Sequence, residues 1–145
     1  MEAEGIFSEI KDVLENDETL SKYVKIVFAG DRPCDSRHLF PNITIEVTGN
    51  PLLRVKNNRR EMKLQTMIAG AVLVQNADAQ IIGNETIKGV MDIEADIYSA
   101  LYAVFPDLNE NCLYFELSTV GYPELESANG RVVLIQAEFY YMEAA

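Results

Sequence analysis

The sequence predicts an α+β domain: a mostly antiparallel sheet of about four to five strands, with an N-terminal helix and one long helix packed on one face. Residues 6–14 and 86–105 repeat apolar side chains at helical spacing, whereas several shorter segments alternate apolar and polar side chains as strands do. Helices and strands do not alternate one by one, which favours α+β over α/β. With 145 residues, no repeat and no linker-like segment, residues 1–145 are predicted to form a single domain.

The first predicted element is an amphipathic N-terminal helix. Asn16 and Asp17 interrupt it, and either could cap a short second helix that carries Leu20 and Tyr23. The apolar stripe of the first helix consists of Ile6, Phe7, Ile10, Val13 and Leu14.

Three strands are predicted in the first half of the chain. Residues 24–28 form a short β-rich run, and residues 43–48 alternate apolar and polar side chains, which indicates a half-buried strand. A longer strand covers residues 62–75, and its middle is apolar on both faces, as expected at the centre of a covered sheet. Gly70 within it predicts a β-bulge or a close approach of another element to the backbone.

The second half predicts one long helix and two strands. The helix runs over residues 86–105 and is stopped by Pro106. We expect its apolar stripe to pack across the sheet beside the first helix. Residues 113–118 and 133–139 alternate as strands, and Asn129-Gly130 between them is a turn signal that predicts an antiparallel pair.

Composition limits the classes of function. The net charge of −11 argues against general nucleic-acid binding, which needs a basic face, although an acidic wall would let DNA slide past without sticking. The longest apolar stretch, residues 67–74, is far shorter than the roughly 20 residues that span a bilayer. The acidic N-terminus lacks the basic start of a signal peptide. We therefore expect a protein that stays in the cytoplasm where it is made, with Cys34 and Cys112 as free thiols.

The search for catalytic and metal-binding patterns predicts neither an enzyme nor a cofactor or metal site. His38, the only histidine, lies in a polar segment near Cys34, and an ordinary loop histidine is a better interpretation than a Cys/His dyad. Asp92 and Asp96 are one helical turn apart and could hold a divalent ion, but a solvated helix face explains them better. No phosphate-binding glycine loop, Gly-x-Ser-x-Gly or His-Glu-x-x-His motif is present.

The most unusual feature is a basic cluster between residues 54 and 63, within and just after a predicted projecting loop at about residues 49–61. A solvated hairpin loop would account for it. Alternatively, it is an arm that meets an acidic surface, of which another copy of this chain is the most available and passing DNA a second. The predicted contact residues, five of the chain's 12 basic residues, are Arg54, Lys56, Arg59, Arg60 and Lys63.

The layout of the whole chain resembles the tail-terminator (tail-completion, or head–tail joining) proteins of tailed bacteriophages. The amphipathic helix is followed by a short DETL segment at 17–20, and the strand at 24–28 leads into GDRP at 30–33. FPNITI at 40–45 is similar to the Phe-Pro-x-Ile strand start of that family. A charged loop, a long apolar strand, an acidic helix and a closing hairpin that ends in FYY at 139–141 complete the likeness.

This resemblance implies a structural virion protein of the tail or neck, assembled in the host cytoplasm, that forms a ring, usually a hexamer. The ring would terminate growth of the tail tube and join the tail to the head connector. Its partners would be other copies of the chain, the tail-tube protein and the head-connector or neck protein, with genomic DNA passing through the lumen without specific binding. The family has no catalytic residues to carry over, and the loop at 49–60 falls where relatives have a variable projecting loop at a subunit or tube contact.

Two alternatives remain open from the sequence. One is another neck or tail component of a phage or of a phage-like contractile machine. The other is a monomeric acidic adaptor or inhibitor, for example a mimic of nucleic acid. Such a mimic would carry a dense array of acids on one face, whereas here the acidic residues are scattered and the basic residues are clustered.

Overall fold

The computed structural model describes residues 2–30, 40–73, 77–84, 87–125 and 130–144. Its helices are α1 (Ala3–Asn16), a single 3₁₀ turn (Leu20–Lys22), α2 (Ala77–Ile82) and α3 (Val90–Tyr102). Its strands are β1 (Ile26–Ala29), β2 (Asn42–Gly49), β3 (Leu52–Lys56), β4 (Arg59–Leu73), β5 (Tyr114–Gly121) and β6 (Gly130–Ala144).

The strands form one sheet in the order β1-β2-β4-β6-β5, and β3 pairs with the N-terminal part of β4. β1 and β2 are parallel, and every other pairing among these strands is antiparallel. The predicted α+β class is confirmed. The described residues hold six strands instead of four to five, and the additional strand is β3, which the sequence had placed in a loop.

Both main helices pack on one face of the sheet, as predicted. Ile6, Ile10 and Leu14 of α1 are fully buried, and α3 buries Ile93 and Ile97 against β4 and β6. Together with the inward side chains of the strands they form the main apolar core, which provides most of the driving force for folding.

The caps of the helices explain where they begin. The Asp17 carboxylate accepts hydrogen bonds from the backbone N–H groups of Thr19 (3.1 Å) and Leu20 (2.9 Å), so Asp17 caps the 3₁₀ turn. The α3 helix begins at Val90, where the Asp92 carboxylate accepts from the N–H of Gly89 at 2.9 Å. Its regular part ends at Tyr102, three residues before the predicted end, and residues 103–105 continue as tight turns towards Pro106.

Gly70 marks a close approach of α3 to β4, which confirms one of the two predictions for that residue. It pairs regularly with Ile43 on one side and Val133 on the other, so no bulge occurs there. On the opposite face of β4, Ala69 and Ala71 are buried in a second, smaller apolar cluster with Val132. The middle of β4 is therefore covered on both faces, as its sequence indicated.

The connection between β5 and β6 is longer than a two-residue turn. The predicted antiparallel pairing is confirmed, but β5 ends at Gly121 and Gly130 already lies in β6 opposite Leu73 of β4. Asn129, the other half of the expected turn, lies outside the described residues.

The two longest strands extend beyond the rest of the sheet. β4 and β6 pair over 15 residues each, but β2 pairs with β4 only from Gln65 onward and β5 pairs with β6 only up to Tyr140. The remainder is a three-stranded ribbon, here called the arm, made of residues 52–63 and 141–144. No helix in the described part of the chain is long and apolar enough to cross a membrane.

Candidate assembly surface

The predicted projecting loop at about 49–61 is a β-hairpin, so its assignment as a loop is corrected. Lys56 pairs with Arg59 next to the turn, and Val55 pairs with Arg60. The two turn residues, Asn57 and Asn58, have φ angles of 52° and 60°. Two consecutive positive φ values are typical of the type I′ turn, which matches the twist of paired strands and which asparagine tolerates well. The hairpin is therefore specified locally by its turn residues.

The strand register divides the five predicted contact residues between two faces of the arm. Residues opposite each other on paired strands point to the same side, as do residues two apart on one strand. Arg60 consequently lies on the helix-bearing side of the sheet with Val55 and Met62. The other four, Arg54, Lys56, Arg59 and Lys63, share the opposite face with Glu61.

Three of the five basic side chains are in ion pairs within the same chain. Arg54 pairs with Glu61 across the hairpin. Arg60 lies 3.1 Å from the Glu143 carboxylate, and Lys63 lies 3.1 Å from that of Glu138. The hydrogen bond from Lys63 to Glu138 raises the pKa of the lysine. The Arg60 and Lys63 pairs attach the hairpin to β6, although each exposed pair contributes less than about 1 kcal/mol.

Lys56 and Arg59 remain available at the tip of the arm. Both side chains are exposed, and they lie directly opposite each other beside the turn. Neither forms an ion pair with any residue of the described ranges. Because like charges opposite each other destabilise a strand pair, this arrangement does not serve the stability of the isolated hairpin.

The arm also exposes apolar side chains that the sequence analysis did not single out. Leu52, Leu53 and Val55 of β3 are 52%, 42% and 61% exposed. β3 pairs with β4 along one edge, and within the described residues its other edge has no partner strand. The signal was present in the sequence as three apolar residues next to a basic cluster, but they lack the periodicity that marks a core strand.

Asp92 and Asp96 are not a solvated helix face, which corrects the sequence interpretation. Both are half-buried, and each already has a partner. Asp92 caps α3, and Asp96 accepts a hydrogen bond of 2.5 Å from the Tyr23 hydroxyl. Burial, together with this hydrogen bond to Asp96, raises the pKa of Tyr23 above its ordinary value. Asp92 therefore holds the start of α3, whereas Asp96 attaches α3 to Tyr23, and these contacts do not converge on one ion.

A second group of polar side chains connects α3 to β5. The Glu94 carboxylate accepts hydrogen bonds from Thr119 and, at 2.9 Å, from the Tyr122 hydroxyl. The Tyr98 hydroxyl lies 2.9 Å from that of Thr119. The hydrogen bond to Glu94 raises the pKa of Tyr122. Each member has a partner within the group, as expected of a structural network.

Of the two cysteines and the histidine, the structure describes only Cys112. Cys34 and His38 lie outside the described residues. Cys112 is a free, fully buried thiol, and burial raises its pKa to about 12, which suppresses the reactive thiolate. No group of three or more potential metal ligands occurs in the ranges that the structure describes.

The arm thus combines a free strand edge, three exposed apolar side chains and two unpaired cations, whereas the predicted contact surface consisted of charges alone. Such a combination is suited to protein–protein contact. In comparisons with known proteins, no family model matches this chain and no curated protein matches it significantly.

Proposed function

We propose that this chain is a structural virion protein that forms a ring at the head-proximal end of a phage tail. There it ends growth of the tail tube and joins the tail to the head connector. The ring is a hexamer, as in the family that the sequence resembles. Its subunits contact each other, the tail-tube protein and the head connector, and DNA passes through the lumen without specific binding.

The observation that carries the assembly role is the exposed edge of β3. Proteins that work alone cover, twist away or charge an exposed apolar strand edge, because it is a template for pairing with another chain. β3 carries Arg54 and Lys56, but its apolar side chains Leu52, Leu53 and Val55 nevertheless stay exposed on an edge strand that projects from the body of the domain. A surface of this kind is expected where a partner covers it in the assembled state.

The charge distribution supports contact with further copies of the chain. The hairpin at residues 52–63 holds five of the 12 basic residues but only one of the 23 acidic residues. The rest of the chain holds seven basic and 22 acidic residues, so each copy offers both a basic arm and an acidic surface. Oppositely charged surfaces on one chain favour head-to-tail contacts, which close into rings when the rotation between subunits allows it.

The placement at a phage tail rests on the layout described above. The described elements include an N-terminal helix, a strand-rich first half, one long acidic helix and a closing strand pair, which is compatible with that layout, and they add β3 and α2 to it. Another neck or tail component of a phage or phage-like machine would share the assembly role and differ in its neighbours.

The assembly role is tested by measuring molecular mass in solution across protein concentration and ionic strength, with negative-stain imaging of the same samples. We expect closed rings with a hole wide enough for duplex DNA, and we expect them to dissociate more readily as salt screens the arm. A chain that is monomeric at every concentration and at low salt would overturn the self-assembling ring and favour the monomeric acidic adaptor.

Two variants distinguish the effect of the basic residues in the arm from the effect of net charge on assembly. Changing Arg54, Lys56, Arg59 and Arg60 together to Ser should abolish rings and leave the monomer folded, since exposed ion pairs contribute little to stability. A control variant that changes Lys11, Lys22, Lys25 and Lys88 to Ser removes the same charge elsewhere and should still assemble. Equal assembly by both variants would show that the hairpin is only a solvated turn.

A further inference from the structure

The edge of the molecule opposite β3 is formed by a segment that contains no basic residue, although the Arg131 side chain of β6 reaches Glu124 at its end. Residues 89–130, which comprise α3, the turns after it and β5, contain eight carboxylates and no Lys, Arg or His. β5 is the last strand on the side of the sheet remote from β2 and β3. The basic strand and the purely acidic segment therefore lie at opposite lateral edges of one sheet.

The acidic edge also carries an exposed aromatic patch, defined here as Tyr102, Phe105 and Leu113. These side chains are 46%, 51% and 43% exposed. The rings of Tyr102 and Phe105 lie 5.9 Å apart and both contact Phe115, which is buried in the core. The patch is consequently a rigid extension of the core.

Two carboxylates border this patch. Asp107 and Glu110 belong to the turn that follows Phe105, where Asp107 is half-buried and Glu110 is exposed. The turn is held by backbone hydrogen bonds from Asn111 and Cys112 to the carbonyl of Asp107, at 2.9 Å and 3.0 Å. These bonds hold the backbone that carries the two acidic residues, a few positions after the aromatic rings in the chain.

The β3 edge and the aromatic patch are complementary in two independent respects. Each has three exposed apolar side chains, and each has charges of one sign nearby in the chain: Lys56 on β3, unpaired among the described residues, and Asp107 and Glu110 in the turn after Phe105. Apolar contact provides affinity, whereas the opposite charges select the partner and the orientation.

We propose that the β3 edge of one copy docks on the aromatic patch of the next copy. This inference rests on the proposed ring and identifies its two contacting surfaces. Because the donor and acceptor surfaces are different and lie at opposite edges of the same sheet, the contact is heterologous. Each copy then uses its β3 edge on one neighbour and its patch on the other, and the repeat generates a ring instead of a two-fold dimer.

A second copy of the chain would cover more of the exposed apolar surface than bound DNA would. A phosphate backbone would use Lys56 and Arg59 but would leave Leu52, Leu53 and Val55 exposed to water. It would also leave the aromatic patch uncovered. Docking between copies covers both apolar surfaces and neutralises both sets of charges.

Two single substitutions test the proposal. Val55→Asp damages the β3 edge and Tyr102→Asp damages the patch, and each should lose ring formation while retaining the thermal melting temperature of the monomer within a few degrees. Mixed in equal amounts, the two variants should recover a single contact, since the first retains its patch and the second its β3 edge. The expected product is a species of two chains that grows no further.

A matched control is Val120→Asp, which places the same charge on another exposed apolar residue of β5 outside both surfaces. It should form rings like the unchanged chain.

If the unchanged chain forms rings and both Val55→Asp and Tyr102→Asp still form them, the proposed docking surfaces are wrong, although the proposed ring itself stands. Failure of the unchanged chain to assemble at all would overturn the proposed function itself. Loss of binding to a duplex DNA probe in Lys56→Glu, with rings unaffected, would show that the arm serves DNA, against the proposal.

Discussion

Gly70 of β4 lies directly beneath Ile93 of α3, so closely that a Cβ atom at position 70 would overlap the Cγ2 methyl group of Ile93. The same Cβ would lie 3.3 Å from Val133 and 3.4 Å from Ile97. The absence of a side chain at Gly70 therefore sets the distance between α3 and the sheet. Since α3 also carries the carboxylates that bind Tyr23, Thr119 and Tyr122, this distance positions the whole acidic edge.

Gly70→Ala should destabilise the fold. The added methyl group must displace α3 or force its side chains off their rotamers, and overpacking of this kind costs about 1–3 kcal/mol. Urea-induced unfolding followed by circular dichroism measures the change in the free energy of unfolding. Gly121→Ala is the matched control, because nothing lies within 4 Å of a Cβ at that position. An equal effect of both substitutions would contradict the close-approach explanation.

Tyr23→Phe should destabilise the protein and reduce its sensitivity to alkaline pH. The Tyr23 hydroxyl donates to Asp96, and a hydrogen bond to a charged group contributes about 1.5–3 kcal/mol. Folding raises the pKa of Tyr23 above its ordinary value of 10. Below pH 10 the tyrosine is neutral in both states and this stabilisation is present in full. Above pH 10 the unfolded chain loses the proton while the folded chain keeps it, so stability falls as pH rises.

The measurement is the free energy of unfolding at pH 7.5, 9.5 and 11 for the unchanged chain and for Tyr23→Phe. One such group contributes a slope of at most about 1.4 kcal/mol per pH unit. The variant should show a shallower decrease above pH 10. Parallel pH profiles for the two proteins would mean that Tyr23 does not couple folding to proton loss.

The sequence predicted those helices and strands in which apolar residues recur at regular spacing because one face is buried. Ile6, Ile10 and Leu14 recur at helical spacing because one face of α1 is buried, so the helix is visible in the sequence. β3 has every residue exposed and therefore no periodic pattern, and it was assigned to a loop. The six-residue helix α2 is too short for a repeated apolar stripe to appear.

The candidate surface was predictable only in its charges. The basic residues of the hairpin are evident in the sequence, but their partners Glu138 and Glu143 are about 75–83 positions away and depend on the register between β4 and β6. No local signal fixes that register, since it results from the packing of the whole sheet. The aromatic patch and the acidic turn lie together within residues 102–113, but the exposure of their side chains depends on how α3 packs on the sheet.

Cys112 should react very slowly with thiol reagents in the folded protein. Burial raises its pKa from 9.0 to about 12, which lowers the thiolate fraction near neutral pH roughly a thousandfold. In a Cys34→Ser background, the rate of reaction with a disulfide reagent at pH 8 should rise sharply when urea unfolds the chain. A fast reaction without urea would show that the thiol is accessible and contradict its burial.

Lys56→Glu should stabilise the monomer and weaken its assembly. Lys56 lies directly opposite Arg59, so the substitution replaces a repulsive cross-strand pair with an attractive one, worth about 0.2–1 kcal/mol. The same change removes a cation that the proposed contact places near Asp107 and Glu110 of the next copy. The free energy of unfolding, measured in a monomeric Tyr102→Asp background, gives the change in monomer stability. The yield of rings from a chain that carries only Lys56→Glu gives the change in assembly. Lys25→Glu makes the same charge change at another exposed lysine and should neither stabilise the monomer nor weaken assembly. A loss of monomer stability in Lys56→Glu would contradict the repulsion inferred at the hairpin tip.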